Sequence, residues 1–327
     1  MPVRLKEMLG GLGIAVLFSL LVGCEAKLRL EAVEAARAQP IRRTDQFQAG
    51  VAAADRLVIV ATHGVIVTST DQGAHWQRQQ LPGWPSLIDI AQCPNGEFAA
   101  LAFEGQVWRA PATGDAWTMQ KIDTTETPQA ITCDSRGRLW VVASFSTIMH
   151  SGDGGKTWSS QSLDEDLFLT SIQFFDVDTA VAAGEFGTVI KTIDGGATWA
   201  RLAPMPDEFY PEDTWFKDPM NGWSVSLRGR MIETRDGGST WALRQTPTFA
   251  PLFTLGTVGD STFAAGGDGV ILRLVDGAWR PMVYDNPFHL YLRVLLPVGN
   301  QLLVAGGSGA LRVLPVAPPV TVAARIE

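Results

Sequence analysis

Asp71, Asp153, Asp194 and Asp236 each stand two residues after a hydroxyl (Ser69, Ser151, Thr192, Thr234) and five before a tryptophan (Trp76, Trp158, Trp199, Trp241), with glycine between them. An acid beside a hydroxyl at constant spacing is the raw material of general acid–base or nucleophilic chemistry. Four copies in one chain argue against that use, because a reaction centre is assembled once, from residues of different segments. The same residue types also do structural work. An aspartate in a turn accepts hydrogen bonds from the NH groups that follow it, and glycine supplies the positive φ. The hydroxyl ties strand to turn and the tryptophan packs across it. The pattern is the Asp-box, read here as a hairpin staple.

The remaining chemistry-bearing residues form no motif. His63, His75, His150 and His289 are scattered without metal-ligand spacing. The glycine runs at 184–187 and 266–269 lead into strand patterns rather than helices, so they are not phosphate loops. Pairs of carboxylates, which glycoside hydrolysis requires, occur by chance in an acidic chain. No catalytic residue, metal or cofactor is therefore assigned.

Spacing says more than chemistry. Tryptophans fall at 76, 117, 158, 199, 241 and 279, a period near 40, which marks a radial β-repeat. Within one repeat, 169–175 and 179–184 read as strands, 185–187 as a tight turn, 187–192 as a third strand and 194–196 as the next turn, with Trp199 opening a fourth. A turn residue recurs before each third strand at Gly64, Gly105, Ser146, Gly187, Gly229, Gly269 and Gly309. Seven repeats of four short strands predict an all-β fold, a seven-bladed β-propeller. Third-strand pairs such as Ile66-Val67 and Val189-Ile190 are apolar on both faces, as sandwiched blades require. The repeat ending at Trp117 keeps only Gly114 of the box and the one ending at Trp279 is shortened, so both should be less tightly stapled. The seventh repeat lacks a box and a tryptophan. Its missing strand is expected from 41–47, or alternatively from 320–325, because an open ring would leave bare edges.

The chain of 327 residues is 46% hydrophobic and 18% charged, with net charge −8. That is globular composition, and its acidity excludes nucleic acid as an expected partner. Arg4 and Lys6 precede an apolar run from Leu9 to Leu21, then Leu21-Val22-Gly23-Cys24. This resembles a bacterial lipobox, with Cys24 the lipidated residue. The expected organisation is a signal peptide over 1–23, a tether with a possible blade-closing strand over 24–46, and the propeller over 47–327. Cys93 and Cys133 hold matching places in adjacent repeats and could be bonded or be two buried thiols.

Phe216-Lys217-Asp218, Asn221-Gly222-Trp223-Ser224-Val225 and the run from Gly229 to Trp241 resemble the repeats of the photosystem II stability/assembly factor family, seven-bladed propellers with lipoprotein members. The resemblance spans about 47–314. It implies a non-catalytic, lipid-anchored envelope protein that scaffolds or assembles a membrane protein complex. That complex is a photosystem, on the thylakoid lumen side, or, in a non-photosynthetic bacterium, an exporter of the resistance-nodulation-division type in the periplasm. The alternatives are a sialidase-like Asp-box hydrolase and a glycan-binding propeller. The chain lacks the sialidase order before its first box, reading Pro-Ile-Arg-Arg at 40–43, and seven repeats do not suit the six-bladed sialidases.

Asp-box turns lie on the propeller face opposite the usual binding face, so a partner is expected on the joining loops. Tyr210, Tyr284, Tyr291, Trp84 and Trp215 are placed in such loops, and two stretches stand out, 203–215 and 281–293, the second of which also holds His289 and Arg293. Aromatic and arginine content of this kind suits a protein interface. Arg228 and Arg230 flank Gly229 and form a second candidate. Arg109, His150, Lys191 and Arg273 recur at one place near the opposite face, where snorkelling charge is ordinary.

Overall fold

The computed structural model describes residues 30–316. The signal peptide, Cys24 and the candidate strand 320–325 lie outside the described residues. Residues 30–39 belong to a unit separate from the rest, in which a helix over Glu31–Ala38 buries none of its side chains and carries Glu31 and Glu34 in its first turn.

From Pro40 onward the chain forms seven antiparallel sheets, each paired in chain order. The innermost strands are Phe47–Ala52, Leu87–Gln92, Pro128–Cys133, Leu169–Phe174, Asp213–Phe216, Leu252–Val258 and Leu292–Val298. They stand side by side in sequence around an axis, and the last stands beside the first. The second strands, such as Leu57–Ala61 and Phe98–Ala102, are buried throughout. Outer strands such as Ser159–Ser162 are mostly exposed.

Alternation explains the buried strands. Side chains of a strand point to opposite faces in turn, and both faces of a blade meet a neighbour. Val58, Val60 and Ile66 pack on the second blade, whereas Leu57, Ile59 and Val67 pack on the seventh. Seven hydrophobic clusters result, one per blade junction. The ring is thus closed by side chains at every junction, and the seven-bladed expectation holds.

The Asp-boxes are built as staples and also as mortar. Ser151 Oγ donates to Asp153 Oδ1 (2.8 Å) and accepts the Gly155 NH (2.7 Å), while Asp153 accepts the NH and hydroxyl of Thr157 (2.9 and 2.6 Å). The boxes at Asp194 and Asp236 repeat these bonds. At Asp71 the His75 ring replaces the threonine hydroxyl, at 2.7 Å. These donors hold the carboxyls below their ordinary range, Asp71 through the His75 NH above all, to about 2. Each tryptophan then packs on the preceding blade: Trp76 on the seventh, Trp158 on the second, Trp199 on Trp140 of the third, and Trp241 on Phe216 and the fourth. In the second blade Thr113 bonds Asp115 (2.6 Å) but no carboxylate gathers the turn NH groups, and in the sixth the box shrinks to Asp276-Gly277, both at positive φ.

Closure differs from expectation in one respect. Residues 41–46 carry no strand, and the seventh blade has three strands among the described residues. The segment acts instead as the seventh joining loop. Gly309 donates to Asp45 O (2.8 Å), just as Gly187 donates to Phe209 O and Gly269 to Leu290 O. Asp45 is almost fully buried and takes both terminal nitrogens of Arg78 (2.8 and 2.9 Å) and the Arg42 NH (2.7 Å). Cys93 and Cys133 are bonded, with Cα atoms 5.1 Å apart, and join the ends of two neighbouring innermost strands.

Candidate functional site: the loop face and the channel mouth

Four antiparallel strands per blade put two kinds of turn at opposite ends. The Asp-boxes share one face with the first turns of each blade. The other face gathers the turns between second and third strands and the loops that join blades. The turn residues before the third strands all have positive φ there, from Ser146 (47°) to Gly105 and Gly187 (72°). Glycine suits that conformation because a Cβ would crowd the backbone. At Gly229, for example, it would stand 2.1 Å from Thr248 O.

The loop face also collects the exposed aromatics: Trp84, Phe103, Phe145, Phe186, Tyr210 and Phe249. Among the described residues, the large apolar side chains exposed on the Asp-box face are Val177, Ile193 and Met220, none of them aromatic. Asymmetry of this kind marks an interaction face more reliably than single exposed apolar residues do.

The expected site residues separate into three groups. Tyr210 stands on the loop entering the fifth blade and its hydroxyl donates to Glu185 (2.6 Å), which pushes the phenol up to about 12. Arg228 is at the exposed tip of the next turn, with φ 55°. Arg230 lies 5.2 Å from the centre of the Phe209 ring and 3.7 Å from Asp207. In the second group, Tyr284 is a loop brace: its hydroxyl donates to Gly269 O (2.7 Å) and accepts the Phe288 NH (3.2 Å). His289 is exposed beside it. In the third group Trp215 and Arg293 line the channel, and Tyr291 stands two residues before Arg293 in the chain. Trp215 is a correction, since it sits in the innermost strand Asp213–Phe216 and stacks 6.3 Å from Trp223, rather than lying in a loop. Tyr291 donates to Gln46 Oε1 (2.7 Å) and so ties the seventh blade to the first.

Arg293 belongs to a feature that sequence reasoning missed. In six innermost strands one residue drops out of the pairing with the second strand: Gln48, Ile88, Gln129, Thr170, Phe253 and Arg293. Glu212 has the same place in the fifth blade, where its NH bonds Val225 O. Such bulges re-aim side chains, and all seven line the mouth of an axial cavity of about 380 Å³. Arg293 spans three blades, passing 4.9 Å from the centre of the Phe253 ring to meet Glu212 at 3.3 Å. Below the mouth, Asp89 accepts the NH groups of Ile90 and Ile131 (2.8 Å each), the second from the next blade. Asp213 accepts the Leu255 NH (2.9 Å) of its own neighbour, and Gln173 exchanges two bonds with Phe216 (2.9 Å each). These polar groups clasp adjacent innermost strands. Burial pushes Asp89 up to about 7, and the Asp213 charge adds to it; burial also raises Asp213, to about 6, against the pull of Arg293. The signal for these residues was their phase, near 41 residues, with types that do not repeat.

Among the described residues no cluster of His, Cys, Asp or Glu could hold a metal ion, and no helix is long and apolar enough to cross a membrane.

Blade count, junction clusters and staples together define the class: a seven-bladed Asp-box propeller with an aromatic loop face. Residues 109–207 match the family described as photosynthesis system II assembly factor YCF48. The chain is a seven-bladed propeller, and the matched residues, about a third of its length, are similar to this family. A structure of YCF48 bound to D1 peptide is 15% identical and superposes with a TM-score of 0.69 over 85% of this chain and 94% of that one. YCF48 from Cyanidioschyzon merolae gives 15% and 0.68 over 83% and 96%. A catalytically inactive virginiamycin B lyase from Staphylococcus aureus, solved with quinupristin, gives 11% and 0.75 over 84% and 96%. At such identities the likeness establishes the fold. No curated protein matches the chain.

Proposed function

We propose that this propeller is a non-catalytic docking module which binds an extramembrane segment of a membrane protein complex on its loop face and assists assembly or activity of that complex. Lipidation at Cys24 would hold it to the envelope membrane. The complex would be a photosystem in a photosynthetic source and an exporter elsewhere. The observation that carries the reading is the one-sided placement of exposed aromatics with Tyr210 and Arg228 on the loop face. A related fold that takes a peptide, the YCF48 structure with D1 peptide, supports it.

The test is recovery of an integral membrane protein with the intact lipoprotein from detergent extract. Arg228→Glu with Tyr210→Ala should reduce recovery severalfold without lowering the melting temperature, because neither side chain supports the core. Undiminished recovery would move the interface elsewhere, and no recovery would end the reading. A second reading, an enzyme using the channel, draws on the two half-buried carboxylates Asp89 and Asp213 and on the lyase fold similarity. Hydrolysis or elimination on a substrate panel that Asp89→Asn or Asp213→Asn abolishes would establish it.

A further inference from the structure

Three successive blades place a phenylalanine and a glutamate together on the loop face: Phe103 with Glu104, Phe145 with Glu126, and Phe186 with Glu185. The three rings are exposed. Phe145 and Phe186 also sit at positive φ (52° and 54°), where other blades use Asp268 or Ser308. An aromatic residue in the left-handed region costs about 1 kcal/mol or more, and here Phe145 and Phe186 still leave 42% and 58% of their surface exposed. That combination points to a use outside the fold.

The glutamates are equally unspent. Glu104 accepts the Ser86 NH (3.0 and 3.1 Å), Glu126 accepts the Ser144 hydroxyl (2.6 Å), and Glu185 accepts the Tyr210 hydroxyl (2.6 Å) and the Phe168 NH (2.9 Å). All these donors are neutral, and none of the three carboxylates meets a lysine or arginine among the described residues. Three other acids on the face are matched by arginine, Glu165 by Arg201, Asp207 by Arg230 and Glu212 by Arg293. Beside the middle pair, a cleft of about 650 Å³ opens between the joining loop at 123–126 and the outer half of the third blade. Asp123, Glu126 and Phe145 line it together with Met149 and Trp158. Such a cleft offers the Asp123 and Glu126 carboxylates for a cationic head and the Phe145 and Trp158 rings for its stem, among otherwise mostly polar walls.

We infer that the arc over blades two to four binds a polypeptide segment in which arginines or lysines alternate with large apolar residues. This rests on the docking reading above and adds the chemistry of the partner segment. Apolar residues lie on the three rings, cations meet the three glutamates, and one long basic side chain enters the cleft.

The probe is a fluorescent peptide alternating arginine with leucine and phenylalanine, compared with a twin carrying glutamate for every arginine, both titrated against the intact protein. The arginine peptide should bind at least about tenfold more tightly and weaken with salt. Glu104→Gln, Glu126→Gln and Glu185→Gln combined should cost about tenfold. So should Phe103→Ser, Phe145→Asn and Phe186→Asn combined, with an unchanged or higher melting temperature because asparagine suits positive φ. Ile193→Ser with Met220→Ser, on the opposite face, should change nothing. Equal or tighter binding of the acidic twin, or arc variants that bind as wild type does, would overturn the inference. In the detergent experiment, a membrane partner recovered equally by the arc variants would defeat the arc alone, while absence of any partner would defeat the docking reading.

Discussion

Neutral pH should weaken this fold, and Asp89 is the chief reason. Its carboxyl is held in the channel wall at about 7 against an ordinary 3.8, and Asp213 at about 6. A carboxylic acid with a raised folded pKa binds its proton more tightly when native than when unfolded. Its contribution is therefore fully present below 3.8 and is lost as pH rises through the folded value. Counted as independent groups, going from pH 5 to pH 8 costs about 2.5 kcal/mol at Asp89 and about 1.5 at Asp213. For a propeller of this size that is a fall of roughly 6 °C in melting temperature. His150 opposes the trend modestly: burial against Trp140, and the Arg138 charge, hold its pKa below 6.5, so acid favours its unfolded form. The Asp-box carboxyls act in another window, because their depressed pKa values make them lose stability only as pH falls below about 4. Calorimetric melting between pH 5 and 8 reads the effect. Asp89→Asn keeps one acceptor for the two NH groups and removes the ionisation. It should flatten more than half of the slope and raise stability at pH 8 by about 3 kcal/mol, after about 1 kcal/mol for the lost bond. A wild-type melting temperature that is flat or rises with pH, or an unchanged slope in the variant, would refute the claim that burial dominates at Asp89.

Gly196→Ala should cost several kcal/mol, since a Cβ there would stand 2.1 Å from the Trp140 ring at φ 83°; denaturant melts measure it. Replacing both Cys93 and Cys133 by serine opens a tie of sequence separation 40 and should cost about 2–4 kcal/mol, seen as a lowered urea midpoint that reductant reproduces in the wild type. Arg78→Ala leaves the buried Asp45 without its cation and should destabilise by about 3–5 kcal/mol, with hydrogen exchange rising first at Gly309, whose NH depends on Asp45 O. Below pH 4 the wild type should begin to lose its hairpins, as Asp71 and Asp194 protonate with midpoints near 2; far-ultraviolet circular dichroism follows this.

The fold was legible because its determinants are local and repeated. Asp194, Gly196 and Trp199 announce a turn and a staple in six residues, and their recurrence sets the blade count. Both-face apolar pairs such as Ile66-Val67 report sandwiching without any long-range information. The joining role of 40–46 was not legible, because it depends on Asp45 meeting Arg78 and Gly309, which are distant in sequence and belong to no motif. The bond between Cys93 and Cys133 was open for the same reason: matching phase places both at strand ends but does not give the distance between neighbouring innermost strands.

The site was legible only in outline. Arginine and aromatic content drew attention to the loop face through Tyr210, Arg228 and Arg293, while Trp215 was misplaced because its strand is short and follows a proline-rich loop. The channel residues were hidden by chemistry that looks unremarkable in sequence: Gln48, Thr170 and Glu212 become a ring only when each innermost strand bulges at the same place. The same physics divides labour within the propeller. Positions that repeat, the acids and hydroxyls of the Asp-boxes, are spent on the turn NH groups and on each other, so their polar atoms have little left to offer a partner. Positions that break the repeat carry unmatched features, a left-handed phenylalanine at 186 or an uncompensated carboxylate at 126, and unmatched features are what a second molecule can complete.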